Sequence, residues 1–433
     1  MKLFHRRSAV VPLAALLGLA LLTAPGARAD NVTPRGGWTA AWAASPQAPS
    51  TGFTPNWSQE GFSHQTVRQV VRVTEGGDRA RIRLSNLYGT SPLVLTGATI
   101  ARAGKGAAVQ RGSTRALTFS GRESVSVPAH GELRSDAAPI RVGRLESVTV
   151  TLYLAGTTGP ATYHSQGFTN SYRASGDRRR DSSGRPFTDT TQSWYYLSGV
   201  DVSGGGARAG VVLFGDSITD GFGSTPGTDR RYPDALAERV GRPVLNAGIG
   251  GNLVLNDSAW YGERATARFG RDALDQPGVS TVVVLEGVND IGFSEVSDQP
   301  TYKPSPVIGS SELIAGYREL IHAGHARGLR VIGATLLPLK GSDHWGSHAA
   351  KVSGEVNRWI RTSGEFDGYA DFGRALADPA DADRMNPVYD SGDHLHPNDA
   401  GYRLMADTVA GVLTASPATG RETVSAGRGY PGQ

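Results

Sequence analysis

Two short runs of this 433-residue chain hold side chains of the kinds and spacing that nucleophilic catalysis needs. The first is Gly215-Asp216-Ser217-Ile218-Thr219-Asp220-Gly221, directly after the apolar stretch Val211-Val212-Leu213-Phe214. It reads as a buried strand ending in a sharp turn with a serine at its tip. The turn alone says little, because Gly, Asp and Ser fill many ordinary turns. The second run, Asp393-His394-Leu395-His396-Pro397-Asn398, lies near the far end of the chain. A serine hydroxyl is a weak nucleophile at neutral pH and needs an adjacent base. Together the runs supply a nucleophile, a base and an acid. His394 and His396 compete for the role of base, and the Asp-x-x-His spacing favours His396.

Other residues have both a functional and a structural reading. Ser217 could cap a helix, and Asn289 taken alone is a turn residue. Asp216 and Asp290 read as hydrogen-bond acceptors that fix loops rather than as catalytic acids. His344 and His348 stand four apart and could share a metal on a helix, but no third ligand is evident, so neither metal nor cofactor is expected. Trp194-Tyr195-Tyr196 reads as domain core in preference to a sugar platform.

The elements that would position these residues change character near residue 205. From Val211 onward, strands are expected at 211–214, 243–246, 281–285, 330–336 and 368–371. Helices are expected over 310–327, 348–361 and 399–413, each with an apolar face. Alternating strands and helices give a parallel sheet covered on both faces. Ligands of such sheets bind at the carboxyl ends of the strands. The loops at 215–217, 247–252, 286–290 and 337–345 must all emerge there, and the loop at 393–396 can reach the same edge. Residues 38 to about 200 instead alternate apolar and polar, as in Gln65 to Val73, Ala80 to Ser85 and Ser147 to Leu154. Many short antiparallel strands separated by Gly-rich turns suggest a β-sandwich. Ser203-Gly204-Gly205-Gly206 is a plausible linker.

The first 29 residues have a positive start (Lys2, Arg6, Arg7), an apolar run from Ala9 to Ala24 and an Ala27-Arg28-Ala29 cleavage site. This is the pattern of a secretory signal peptide; a membrane anchor would need about 20 uninterrupted apolar residues. The expected protein is therefore secreted and extracellular, without a stable membrane anchor. The whole chain has 44 Lys+Arg and 40 Asp+Glu. The four basic residues of the leader account for the excess, so no electrostatic footprint for nucleic acid remains. There are no cysteines, which removes thiolate nucleophiles and disulfides. Residues 415–433 are rich in Gly, Ser, Thr and Pro and are expected to be disordered.

The blocks Gly215-Asp216-Ser217, Asn246-Ala247-Gly248-Ile249-Gly250-Gly251, Gly287-Val288-Asn289-Asp290 and Asp393-His394-Leu395-His396 stand in this order. In that they resemble the SGNH or GDSL-type serine hydrolases, with Ile218 where the name-giving pattern has Leu. The resemblance covers roughly residues 210 to 413. It implies a three-layer α/β/α parallel-sheet hydrolase domain over 207–414. The preceding segment, 30–203, resembles the all-β sandwich-like accessory domain of secreted actinobacterial members. The resemblance further implies Ser217 as nucleophile, His396 as base and Asp393 as its orienting acid. The oxyanion would be held by the backbone N–H groups of Ser217 and Gly251 and by the side-chain amide of Asn289, each donor worth about 2.7–4 kcal/mol of barrier.

The function expected is a secreted esterase acting on carboxylic esters through an acyl-enzyme, with O-acyl groups of a polysaccharide or oligosaccharide as the leading substrate class. An extracellular lipase or phospholipase is the alternative within the same chemistry. A catalytically inert glycan-binding protein is the alternative from another class. The acyl group, the alcohol and the oligomeric state are not legible in the sequence.

Overall fold

A computed structural model describes residues 37–206, 208–296 and 299–414. The leader over 1–29 and the tail over 415–433 lie outside the described residues.

Five strands, Gly210–Gly215, Val244–Gly248, Val279–Leu285, Arg330–Ala334 and Tyr369–Ala370, form one parallel sheet. Their spatial order is second, first, third, fourth, fifth. Val211, Val212, Leu213 and Phe214 are all fully buried, so the first strand shows no polar alternation; both of its faces are covered. Gly215 lies opposite Gly248 on one side and Leu285 on the other. Three strands therefore end at one level, and the loops that follow them share one edge. The strand order reverses beside the first strand, the position where ligands of open α/β sheets collect. Helices at Ser310–Ala326, Ser347–Thr362 and Asp399–Thr414 match the apolar periodicity. They fall into two packed groups, Tyr232–Val240 with Asp399–Thr414 and Ser310–Ala326 with Ser347–Thr362.

The N-terminal domain is rich in antiparallel strands. One sheet pairs Leu197–Ser203 with Thr39–Ala43 and Gly77–Ser85, and Glu132–Arg134 and Ala138–Val142 also pair with Gly77–Ser85. The other has Gln65–Arg72 and Ser147–Leu154 at its centre, with Val67 opposite Leu152 and Val71 opposite Val148. Apolar side chains of both sheets, among them Ile82, Val200, Val71 and Val150, form one buried cluster. Trp194, Tyr195 and Tyr196 lie inside it and offer no exposed platform.

The two parts of the chain share buried surface. On the strand Thr39–Ala43, Ala41 and Trp42 join the N-terminal core, while Ala40 and Ala43 join the core of the parallel sheet. Ala40 N–H donates to Pro277 O at 2.9 Å. Val244 N–H donates to the Thr74 hydroxyl at 3.0 Å. The Gly-rich run at 204–206 thus joins elements that are also packed against each other.

One cation holds the active edge of the sheet. Arg268 is fully buried, and its guanidinium lies 4.1 Å from the centre of the Phe214 ring. It donates to Gly215 O, Ala247 O and Asn252 Oδ1, each at 2.8 Å, and to Glu286 Oε1 at 3.0 Å. Longer contacts reach Asp272 Oδ2 at 3.3 Å and Ser45 Oγ of the N-terminal domain at 3.4 Å. Removing one partner of such a set strands buried charge, which costs about 3–5 kcal/mol. Arg268→Met is therefore expected to lower the unfolding free energy by about that amount in urea titration. An unchanged midpoint would contradict this account of the edge.

Candidate active site

Ser217 is the first residue of a short helix, Ser217–Asp220, on the loop after the first strand of the parallel sheet. Asp216 caps that helix, its Oδ1 accepting Ile218 N–H at 2.9 Å. Asn246 Nδ2 donates to Thr219 O at 3.0 Å and ties the helix to the second strand. Ser217 Oγ lies 2.8 Å from His396 Nε2. On the other side of the ring, Nδ1 lies 2.6 Å from Asp393 Oδ2. The second carboxylate oxygen, Asp393 Oδ1, accepts Leu395 N–H at 3.0 Å and His396 N–H at 2.8 Å. Burial acts to raise the Asp393 pKa, but the hydrogen bond and charge of His396 outweigh it and hold the carboxyl well below its ordinary range. Asp393 therefore stays an anion at any ordinary working pH.

The structure brings Ser217, His396 and Asp393 into one hydrogen-bonded line and leaves His394 outside it. His394 sits in the left-handed region at φ 64° and turns its Nδ1 to Asp390 Oδ2 at 2.6 Å.

Backbone donors gather beside Ser217. Along the loop after the second strand, Gly248 N–H goes to Asn246 Oδ1, Ile249 N–H to Gly215 O, Gly250 N–H to Asp220 Oδ2 and Asn252 N–H to Ile249 O. Between them, Gly251 N–H has no acceptor among the described residues, and neither has Ser217 N–H. Gly251 has φ +75°, and a Cβ there would stand 2.4 Å from the Tyr261 ring, so only glycine fits. Asn289 Nδ2 donates one proton to Asn252 O at 3.0 Å, which leaves the other for a ligand. Asp290, next in sequence, accepts Val254 N–H at 2.8 Å and Leu255 N–H at 3.2 Å. Asp216 and Asp290 thus bind loops, and burial pushes each of their carboxyls up to about 7.

His344 is the site residue that sequence reasoning misplaced. It is not on a helix with His348; the helix begins at Ser347, and His348 Nε2 meets Ile308 O at 3.0 Å. His344 is buried, with Nε2 at 3.2 Å from Asn289 Oδ1 and Nδ1 at 2.7 Å from Asp343 Oδ1. The His344 hydrogen bond holds the Asp343 carboxyl below its usual range. With a proton on Nε2 this ring donates to Asn289 Oδ1, and the amide is then held at both ends. The sequence places the loop 337–345 at the carboxyl edge of the sheet, but nothing in its composition singles out His344 as a support for Asn289. We expect His344→Ala to lower kcat about tenfold with KM nearly unchanged, and His344→Gln, which can still donate to Asn289, to recover part of the loss. A raised KM with normal kcat would show that His344 serves binding.

The N-terminal domain reaches the same loops. His164 Nδ1 meets Ser45 O at 3.0 Å, and its Nε2 lies 3.1 Å from Asp220 Oδ1, the carboxylate whose other oxygen receives Gly250 N–H. Burial disfavours a charged His164, but the charge and hydrogen bond of Asp220 outweigh it, and the pKa is raised above the ordinary value. A raised native-state pKa gives stability that is fully present below the unfolded-state value, about 6.5, and is lost as pH rises through the native value. The melting-temperature advantage of the wild type over His164→Asn is therefore expected to shrink as pH rises from about 6.5 through the raised native value. A gap that stays constant would contradict the charged pair.

Ser217, Gly251, Asn289, His344, Asp393 and His396 line one cavity of about 380 Å³, together with aromatic residues. A separate polar cavity of about 210 Å³, lined by Arg83, Glu132, Arg134 and Arg271 among others, contains none of them.

Residues 213–404 match the model of the GDSL-like Lipase/Acylhydrolase family. This segment carries Ser217, Gly251, Asn289, Asp393 and His396, and the match supports the GDSL/SGNH lipase–acylhydrolase family for it. No curated protein matches the chain. A catalytic mutant of an acetylxylan esterase from Geobacillus stearothermophilus is 23% identical, over 50% of this chain and 99% of that one, with a TM-score of 0.37. A GDSL-like lipase from Bacteroides thetaiotaomicron is 18% identical, over 47% of this chain and 87% of that one, also with a TM-score of 0.37. Likenesses this slight carry no weight for the activity.

Proposed function

We propose that this chain is a serine esterase that cleaves carboxylic esters through an acyl-enzyme on Ser217. The observation that carries the reading is the Ser217–His396–Asp393 line, 2.8 Å and 2.6 Å at its two contacts, set beside two backbone N–H groups without acceptors among the described residues. In the first half-reaction Ser217 Oγ attacks the ester carbonyl carbon while its proton passes to His396 Nε2. The carbonyl oxygen becomes an oxyanion facing Ser217 N–H, Gly251 N–H and the free Nδ2 proton of Asn289. Collapse breaks the C–O bond, and the leaving alkoxide takes the proton from His396. Water then attacks the acyl-serine by the same route and releases the acid.

The substrate class we assign is an O-acyl, foremost O-acetyl, ester of an oligosaccharide or polysaccharide. The cavity supports this over a phospholipid: its lining includes Asp343 and Asp393 and no Lys or Arg that could meet a phosphate. We also read the hydrolase part as three layers, the N-terminal part as a sandwich, and residues 1–29 as an export signal that places the enzyme outside the cell.

Ser217→Ala and His396→Ala are each expected to abolish hydrolysis of a short-chain ester with the fold intact by circular dichroism. The double variant should be scarcely worse than either, because the two act as a unit. His394→Ala should stay active. Asn289→Ala should lose about 100-fold or more in kcat with little change in KM. An inactive His394 variant beside an active His396 variant would overturn the assignment.

A further inference from the structure

We propose that the N-terminal domain completes the substrate site, with Phe53 and Gln166 forming a subsite for the sugar portion of the ester. This rests on the carbohydrate-ester reading above and adds to it a place and two residues.

Gln166 follows the two-residue strand Tyr163–His164, and its backbone is held on both sides. Ser165 N–H donates to Gln47 Oε1 at 2.9 Å, Ser193 Oγ donates to Ser165 O at 2.7 Å, and Gly167 N–H donates to Gln192 O at 2.6 Å. The side chain is only 5% exposed, yet its Oε1 has no hydrogen-bond partner among the described residues. A buried polar group left in this state costs about 1–3 kcal/mol. The carboxamide lies across Gly250, where a Cβ would stand 2.1 Å from Oε1, and it lines the same cavity as Ser217 and Gly251. A group so costly, lining the same cavity as the reacting serine, is accounted for by a ligand that supplies its missing partner.

Phe53 supplies the second half of the subsite. Its ring is 44% exposed and stacks on Tyr261, with centroids 5.4 Å apart and an interplanar angle of 19°. Tyr261 is itself buried against Gly251, so the Phe53 ring is stacked, through Tyr261, on the proposed oxyanion loop. Asn56 Nδ2 donates to Thr51 O at 2.8 Å and pins the loop that bears Phe53. An exposed aromatic ring and an unpaired carboxamide on one cavity match the two surfaces of a pyranose or furanose ring. The C–H face covers the arene, and a ring hydroxyl pairs with the amide. An alkyl acyl chain would use the arene and leave the amide unpaired. A phosphate would find no cation.

The test compares two acetyl esters on the full chain: acetylated xylo-oligosaccharide, which carries a sugar, and methyl acetate, which does not. In Phe53→Ala and in Gln166→Leu, the ratio of kcat/KM for the sugar ester to that for methyl acetate is expected to fall about tenfold or more. Phe53 is exposed, so its variant keeps the test open if the Gln166 variant fails to fold. In a Ser217→Ala background, Phe53→Ala should weaken calorimetric binding of the acetylated oligosaccharide by a similar factor. Ratios within about twofold of wild type, when the wild type does cleave the sugar ester, would overturn the subsite and leave the carbohydrate reading standing. A wild type that cleaves methyl acetate but no sugar ester would overturn the carbohydrate reading, and the subsite with it. Selective loss on methyl 4-hydroxycinnamate, with the sugar ester unaffected, would overturn the proposal by giving the subsite to an aromatic acyl group.

Discussion

Arg268 points its donors at the place where three strands of the parallel sheet end. It binds Gly215 O at the end of the first strand, Ala247 O on the second and the Glu286 carboxylate after the third. Parallel strands that stop together leave carbonyl oxygens facing a dry interior, and an unpaired buried carbonyl is costly. A single guanidinium can satisfy several such groups at once because its donors fan out in a plane. Burying that cation in turn demands anions. Burial drives the Glu286 carboxyl well above its usual pKa, with Arg268 offsetting only part of the rise, and Asp272 stands as a further acidic partner. Edge and cation therefore depend on each other.

What stands on this edge is a set of donors with fixed directions. Arg268 holds Asn252 through Oδ1, and Asn252 offers its own carbonyl to Asn289. Asn289 is clamped again by His344. On the other flank, Asp220 receives Gly250 N–H and meets His164 of the N-terminal domain. Gly251, between these two anchors, has an N–H without an acceptor among the described residues and no room for a Cβ beside the Tyr261 ring. Such an arrangement suits electrostatic stabilisation of a forming oxyanion, since the donors need not reorganise when charge appears. It also gives the N-terminal domain a part in the chemistry: Ser45 touches Arg268, His164 holds Asp220, and Phe53 and Gln166 line the cavity.

Much of this was legible in the sequence because it is local. The strand before Ser217 is a continuous apolar run, and the helices at 310–326, 347–362 and 399–414 carry apolar faces at helical spacing. The Asp393–His396 pairing needs only three residues of chain, and the left-handed turn at His394 sends the rival imidazole to Asp390. Arg268, His344, Phe53 and Gln166 left no such mark. Apart from Asp272, four residues on, Arg268 acts on groups 16 to 53 residues away, along with Ser45 at a separation of 223. His344 meets Asn289 across 55 residues, and the spacing to His348 that drew notice has no counterpart in space. Glutamine and phenylalanine in a β-rich segment look like any others until the fold lays them over Gly250 and Tyr261. The helix Tyr232–Val240 leaves little trace for a similar reason: with Pro233 and three charged residues among nine, its apolar pattern is weak.

The central claim, that His396 makes Ser217 a nucleophile, is tested most directly by covalent labelling. The full chain would be treated with a fluorophosphonate and the adduct mapped by peptide mass spectrometry. The account predicts one adduct, on the peptide bearing Ser217, formed rapidly in the wild type and His394→Ala and lost in His396→Ala. Labelling of another residue, or undiminished labelling of Ser217 without His396, would contradict it.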